Sequence, residues 1–157
     1  MDWTELTIPN APPTENVEFD RWLNNLTKHL RNYLGGLILN DDIANDAGDT
    51  ATWDFELGDL TTDGTWYDLD LSGTVPAGAK AVFLHVTIVD NAVGSWINFR
   101  ENGNSNNYNR SLIRTQIADV GMESDILVFC DSSRVIEYSA ANVTFTSISI
   151  AIKGWLM

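Results

Sequence analysis

The sequence contains one cysteine and two histidines among 157 residues. Cys130 has no cysteine partner for an intramolecular disulfide, and its position at the end of the apolar run Ile126–Cys130 indicates a buried, unreactive thiol. His29 and His85 are too few for a histidine-based metal centre. We therefore expect no disulfide, no metal site and no cofactor.

Basic residues are also scarce: 9 Lys and Arg face 22 Asp and Glu, which gives a net charge of -13. Such a surface repels phosphate backbones and anionic lipid headgroups, so we expect no nucleic-acid partner and no membrane partner.

The first residues lack the basic and apolar regions of a signal peptide, and no apolar stretch is long enough for a membrane span. Synthesis and folding in the cytoplasm are expected.

Recognisable catalytic motifs are missing. The chain has no G-x-S-x-G, no H-E-x-x-H, no glycine-rich phosphate loop and no C-x-x-C. Carboxylates are plentiful, and a glycosidase needs only two of them across a cleft, so an acidic-site hydrolase stays open as a third hypothesis. Asp68 and Asp70, the most regular pair, follow the spacing of one strand face. We expect no enzyme and assign no catalytic residues.

Residues 1–13 hold three of the four prolines, and the adjacent pair Pro12 and Pro13 favours an extended chain. We interpret residues 1–13 as an anchoring arm. Its apolar side chains are Trp3, Leu6 and Ile8. A solvated tail does not need them, so docking onto a partner or a neighbouring subunit is one interpretation, and a collapsed local plug is the other.

Residues 14–36 carry the pattern of one amphipathic helix. Thr14 or Asn16 can cap its start, and the Gly35-Gly36 pair is a helix stop. Apolar positions recur with the 4-and-3 spacing of a heptad seam. Two interpretations remain open: a small self-associating bundle, or a helix lying across the sheet of its own chain. The candidate oligomer-interface residues are Phe19, Trp22, Leu23, Leu26, Leu30 and Tyr33.

Residues 37–50 are polar and rich in Asp and Asn, which predicts a loop. A calcium-binding EF-hand loop needs acidic ligands at alternating positions with a central glycine and a distant glutamate. That register is missing here, so we do not expect calcium to bind in this segment.

Beyond residue 50 the apolar pattern takes a period of two, which predicts half-buried antiparallel strands. Trp53, Phe55 and Leu57 alternate with carboxylates. Seven further runs of strand-forming residues are predicted over 67–71, 81–89, 96–100, 111–117, 126–130, 134–138 and 143–155. We predict a mainly β domain over residues 50–157, an eight-stranded, jelly-roll-like antiparallel sandwich preceded by the arm and the helix. An immunoglobulin-like sandwich is the alternative.

Residues 98–109 form the most unusual stretch, because asparagine dominates it. Amides next to aromatic rings suit sugar binding, but the same amides also stabilise tight turns by local hydrogen bonds. Both interpretations remain open. The candidate glycan contacts are Trp96, Asn102, Asn104 and Tyr108.

Four segments together resemble a small β-sandwich module of tailed-phage virion proteins: Val75–Val82, Asn98–Ser105, Cys130–Tyr138 and Ile152–Trp155. The resemblance covers roughly residues 65–157 and carries no catalytic residue. It implies a virion component of the trimeric head-decoration, short-fibre or adhesin type, whose N-terminal segment contacts other virion proteins. A single short helix in place of a long shaft favours a compact decoration or short fibre.

We therefore expect a non-enzymatic structural protein of a phage virion, a homotrimer attached through its N-terminal segment. The chain would be made in the host cytoplasm and reside in the virion. The alternative is a carbohydrate-binding module or receptor-binding adhesin of a tail fibre, whose partners would be host surface glycans.

Overall fold

The computed structural model describes residues 21–29, 44–48 and 51–157. The chain divides into two compact units, Met1–Asp41 and Asp42–Met157. The predicted arm, with Trp3, Leu6 and Ile8, lies outside the described residues. Only the second unit contains strands among the described residues.

Residues 21–29 of the first unit are helical, inside the helix predicted over 14–36. The Thr27 hydroxyl donates to the Leu23 carbonyl at 2.7 Å, a bond from one turn to the previous one that suits helical geometry. A single helix before the β domain is thus confirmed for this stretch.

Nine strands form the second unit, and their alternating apolar residues explain most of their positions. They are β1 (Ala44–Asp46), β2 (Phe55–Glu56), β3 (Tyr67–Asp70), β4 (Ala81–Val89), β5 (Trp96–Glu101), β6 (Ser111–Arg114), β7 (Met122–Phe129), β8 (Val135–Ala140) and β9 (Ser147–Leu156). A short 3-10 turn, Leu57–Asp59, follows β2.

The strands form two antiparallel sheets. Sheet A has the order β1-β9-β4-β7, with β2 also paired to β9, and sheet B has the order β3-β8-β5-β6. The pairs β2 with β9, β3 with β8, β4 with β7 and β5 with β6 are nested inside one another. This nesting is a long antiparallel hairpin rolled into two sheets, which is a jelly roll. The predicted eight-stranded jelly-roll-like sandwich is confirmed, and β1 adds a ninth strand.

The hydrophobic core lies between the two sheets. Alternate residues of β4 and β9 from sheet A meet alternate residues of β5 and β8 from sheet B, as in sandwiches generally. Each fully buried aliphatic side chain contributes about 1.5–3 kcal/mol to folding. The largest fully buried members include Leu84, Ile88, Ile148, Ile150, Ile152, Ile97, Phe99 and Ile136.

Two details of sheet A differ from the sequence prediction. Residues 37–50 were expected to be a loop, but Ala44–Asp46 within them pairs with Gly154–Leu156 of β9. Trp53 was expected on a half-buried strand with Phe55 and Leu57, but β2 has only two residues and Trp53 is 41% exposed. β2 begins only at Phe55, and before it the Asp54 carboxylate, not a backbone carbonyl, accepts the Ile152 backbone N–H at 2.7 Å.

Candidate binding surface

A small cleft lies at one edge of the sandwich, where sheet B meets β7 of sheet A. The loop between β5 and β6 forms one wall, and the end of β7 forms the other. Its volume is about 140 Å³. Side chains that line it include Glu101, Tyr108, Arg110, Leu127 and Phe129.

The asparagine side chains of this loop are engaged in holding the loop itself. Asn104 Oδ1 accepts the backbone N–H of Asn106, and Asn106 Oδ1 accepts that of Tyr108, both at 2.9 Å. Asn102 Nδ2 donates to Asp131 Oδ2 at 2.8 Å. The bonds of Asn104 and Asn106 are the local turns that asparagine favours, whereas the Asn102 bond joins the loop to a residue 29 positions away. The side chains of Asn102 and Asn104 are therefore both engaged within the protein.

Asp131 connects this loop to the turn between β7 and β8. Its Oδ1 accepts the backbone N–H groups of Ser133 and Val135 at 2.8 and 2.9 Å. Hydrogen bonds from Val135 and then from Asn102 stabilise the carboxylate and lower the pKa of Asp131. The charged form of Asp131 therefore fixes both turns.

Tyr108 emerges from this hydrogen-bonded loop with 98% of its surface exposed. Arg110 beside it is exposed as well. Arg100 lines the same cleft, but its guanidinium is paired with Glu137 and lies 3.8 Å from the Trp66 ring centroid. The ring of Tyr108 and the charge of Arg110 are therefore among the groups that this loop presents to solvent, together with the side chains of Asn107 and Asn109.

Trp96 stands apart from the other candidate glycan contacts. It begins β5, whereas Asn102 follows the last residue of the same strand. A strand rises about 3.3 Å per residue, which separates the two by about 20 Å. The structure thus brings Asn102, Asn104 and Tyr108 together in one loop and places Trp96 at the opposite end of the strand.

A second feature continues from the cleft across the outer face of sheet A. Phe83 of β4 and Leu127 of β7 are directly opposite each other, and Phe129 follows on the same face of β7. Their exposed fractions are 37%, 41% and 53%, respectively. We call these three side chains the apolar strip.

The outer face becomes polar beyond the strip. His85 Nδ1 and Asp125 Oδ1 are 2.7 Å apart, and Lys153 Nζ donates to Asp125 Oδ2 at 2.7 Å. Bonds from Lys153 and then from His85 lower the pKa of Asp125. Trp53 stacks on His85 with 5.9 Å between ring centroids and 12° between planes. This cluster offers aromatic faces and charges of both signs to a ligand.

The candidate oligomer-interface residues are only partly described. Trp22 and Leu26 are half-buried, and Leu23 is 44% exposed. Phe19, Leu30 and Tyr33 lie outside the described residues. The proposed association of this helix with other subunits therefore stays a prediction.

No protein-family model matches the chain, and no curated protein is significantly similar to it in sequence. Residues 21–29, 44–48 and 51–157 contain no group of three or more His, Cys, Asp or Glu side chains that could hold a metal ion. Among those same residues, no helix has the length and apolarity needed to cross a bilayer.

Sequence reasoning missed Leu127 and Phe129, which it assigned only to an apolar strand. The sequence does carry a signal for their exposure. Glu123 and Asp125 lie four and two positions before Leu127, so they share its face of the strand, and carboxylates mark the solvent face. It also missed Trp53, since nothing in the local pattern shows that β2 begins only after it, at Phe55.

Proposed function

We propose that this protein is a non-enzymatic structural protein of a phage virion, a homotrimeric capsid-decoration or short-fibre protein attached through its N-terminal segment. The apolar strip carries the proposal. Phe83, Leu127 and Phe129 lie together on the outer face of a well-packed jelly roll, where solvent exposure of large apolar groups is unfavourable. Contiguous apolar surface of this kind is typical of a face that another protein covers.

The helical stretch gives independent support. Leu23 is 44% exposed, and Leu26 follows it three positions later on the same helix face. Packing such leucines against sister helices would contribute about 1.5–3 kcal/mol per side chain. The net charge of -13 is compatible with a protein that stays soluble at high copy number before assembly.

The resemblance of residues 65–157 to the sandwich module of tailed-phage virion proteins supplies the biological setting of the proposal. A jelly roll is a fold shared by many unrelated functions, so the fold alone does not choose among them. The order of an N-terminal segment, a helix and a sandwich suits a particle-bound protein that displays its β domain.

The test is the mass of the full chain in solution, measured by light scattering after size-exclusion chromatography. We expect a trimer for the unmodified protein and a monomer for the Leu23→Asp/Leu26→Asp variant. The matched control is Asn24→Asp/Asn25→Asp, which adds the same charge at exposed positions of the same helix. If the unmodified protein is a monomer, or if the trimer persists after the leucine substitutions, the helix does not hold the subunits together.

Carbohydrate binding, as in a receptor-binding adhesin, is the second candidate function. The observation that favours it is the nearly full exposure of Tyr108 on a loop whose turns are held by internal hydrogen bonds. A rigid aromatic ring can stack on a sugar without losing much conformational entropy.

A glycan array tests this second candidate. Binding by the unmodified protein that disappears in Tyr108→Ala would support the loop as the contact surface. The Trp96→Ala variant is the comparison, because Trp96 lies at the other end of β5. If the array shows no binding, the adhesin function is excluded and the structural function is unaffected.

A further inference from the structure

A depression on the outer face of sheet A lies beside Trp53, away from the asparagine-rich loop. It is lined by Ala51, Thr52, Trp53, Glu56 and Ala151, and its volume is about 450 Å³. Pockets for small molecules commonly have volumes of about 300–1,000 Å³. The depression therefore has room for a ligand the size of one or two sugar rings.

The segment that carries Trp53 is held firmly on β9. The Asp54 backbone N–H donates to the Ile150 carbonyl at 2.9 Å, and its carboxylate accepts the Ile152 N–H at 2.7 Å. The Thr74 hydroxyl donates to the second carboxylate oxygen of Asp54 at 3.0 Å. The wall of the depression is thus formed before any ligand arrives, which reduces the entropy lost on binding.

The indole ring itself is fixed by a chain of contacts. Trp53 stacks nearly parallel on His85, His85 bonds to Asp125, and Asp125 bonds to Lys153. The ring nevertheless keeps 41% of its surface in solvent. A fixed, exposed aromatic ring beside a small alanine floor is suited to stacking with a flat, partly apolar ligand.

We infer that this depression binds a neutral pyranose ring. The C–H groups on one face of a pyranose carry partial positive charge and are attracted to the negative face of an indole. Its hydroxyl groups can bond to the Thr52 hydroxyl and the indole N–H, and the Glu56 carboxylate keeps acceptor capacity beyond the Asp59 backbone N–H that it caps. Glu56 and the net charge of -13 disfavour an acidic sugar.

This inference rests on the second candidate function, carbohydrate binding, and assigns it to a surface that the asparagine-rich loop does not share. The two locations make different demands. The loop has used the side chains of Asn102 and Asn104 internally, whereas the depression is lined by an exposed aromatic ring and the Thr52 hydroxyl, with Glu56 capping Asp59 beside them.

The experiment is a titration of the full chain with the methyl glycosides of glucose, galactose, mannose and N-acetylglucosamine, followed by ¹H–¹⁵N correlation spectra. We expect one of these sugars to shift the indole N–H signal of Trp53 and the amide signals of Thr52, Glu56 and Ala151. The chain has six tryptophans, so the Trp53→Phe variant identifies the relevant indole signal. Trp53→Ala should weaken binding about tenfold or more, and Trp53→Phe should weaken it less.

Ile117→Ala is the matched control, because it removes an apolar side chain that is 61% exposed and does not line the depression, so it should leave the affinity unchanged. Loss of binding in Tyr108→Ala with retention in Trp53→Ala would overturn the inference while keeping carbohydrate binding. Absence of any shift at the Trp53 signal with all four sugars would also overturn it. The trimer measurement is independent of both outcomes.

Discussion

Gly154 and Asn45 approach so closely that a Cβ atom on Gly154 would lie 2.1 Å from the Asn45 carbonyl oxygen. The contact lies where β1 pairs with β9, and it involves backbone atoms that have no flexible side chain to move aside. Glycine at position 154 is therefore a condition for the docking of β1.

We predict that Gly154→Ala detaches residues 44–46 from β9 while leaving the rest of sheet A paired. The reason is steric, because the new methyl group and the Asn45 carbonyl cannot occupy the same space. Hydrogen exchange measured by mass spectrometry should show faster exchange in peptides covering residues 44–47. Gly58→Ala is the control, since nothing lies within 4 Å of a Cβ there. Unchanged exchange in Gly154→Ala would contradict the prediction.

A second prediction concerns the pH dependence of stability through Asp131. Its pKa is lowered in the folded protein below the ordinary value of 3.8, so the charged form stabilises the fold above that value. This contribution disappears as pH falls through the lower, folded-state pKa. Asp131→Asn should therefore be destabilised at pH 7 relative to the unmodified protein, and the difference should be smaller at a pH well below 3.8.

Urea denaturation followed by tryptophan fluorescence at the two pH values measures that difference. Asp68→Asn is the matched control, because it removes one carboxylate charge from an exposed position of β3. If Asp131→Asn and Asp68→Asn behave alike at pH 7, the hydrogen bonds of Asp131 do not contribute to stability.

A third prediction addresses the buried polar group Thr115, whose side chain is fully buried. Its Oγ1 accepts the Ser95 backbone N–H and donates to the Ala92 carbonyl, each at 3.0 Å. Thr115→Val keeps the shape but leaves the Ser95 N–H without that acceptor, which should cost about 1–3 kcal/mol of unfolding free energy. Thermal and urea unfolding measure it. The exposed Thr144→Val should change stability far less, and equal effects would refute the role of the hydroxyl.

A fourth prediction concerns Cys130, which the sequence indicated to be buried and unreactive. The structure confirms its burial, its Sγ lies 3.5 Å from the Ala79 carbonyl oxygen, and burial raises the pKa of the thiol. Thiol reagents attack the thiolate, so labelling of the folded protein should be slow and should accelerate in urea. The measurement is the absorbance change of a chromogenic thiol reagent. Because the chain has one cysteine, this change reports Cys130 alone. Rapid labelling without denaturant would show that the thiol is accessible.

Sequence periodicity identified the jelly roll because most strands alternate cleanly between apolar and polar residues. Ala81–Val89 was predicted with the bounds that the structure has, since valine, leucine and isoleucine fill every second position from Val82 onward. β1 was missed because Ala44–Asp46 contains no large apolar side chain, and its pairing depends on the distant Gly154. The first half of β7 was missed for a similar reason, because Met122–Asp125 is mostly polar.

The candidate surfaces were less predictable than the fold. Tyr108 was identified from composition, but the internal bonds of Asn102 and Asn104 depend on loop geometry and on Asp131, a residue far away in sequence. The cluster of Trp53, His85 and Lys153 joins three different parts of the chain. Local patterns carry no information about such contacts until the register of β4 with β7 and β9 is known.

The nested pairing of the strands sets an order in which the domain can form. The innermost pair, β5 with β6, closes a short loop, whereas β2 and β9 join Phe55 to Ile150 across almost the whole domain. Loop-closure entropy makes such distant pairings slow. Because β9 is inserted between β4 and β2, sheet A stays divided on the ribosome until residues 147–156 emerge, and a nascent chain leaves one edge of β4 without its partner strand until then.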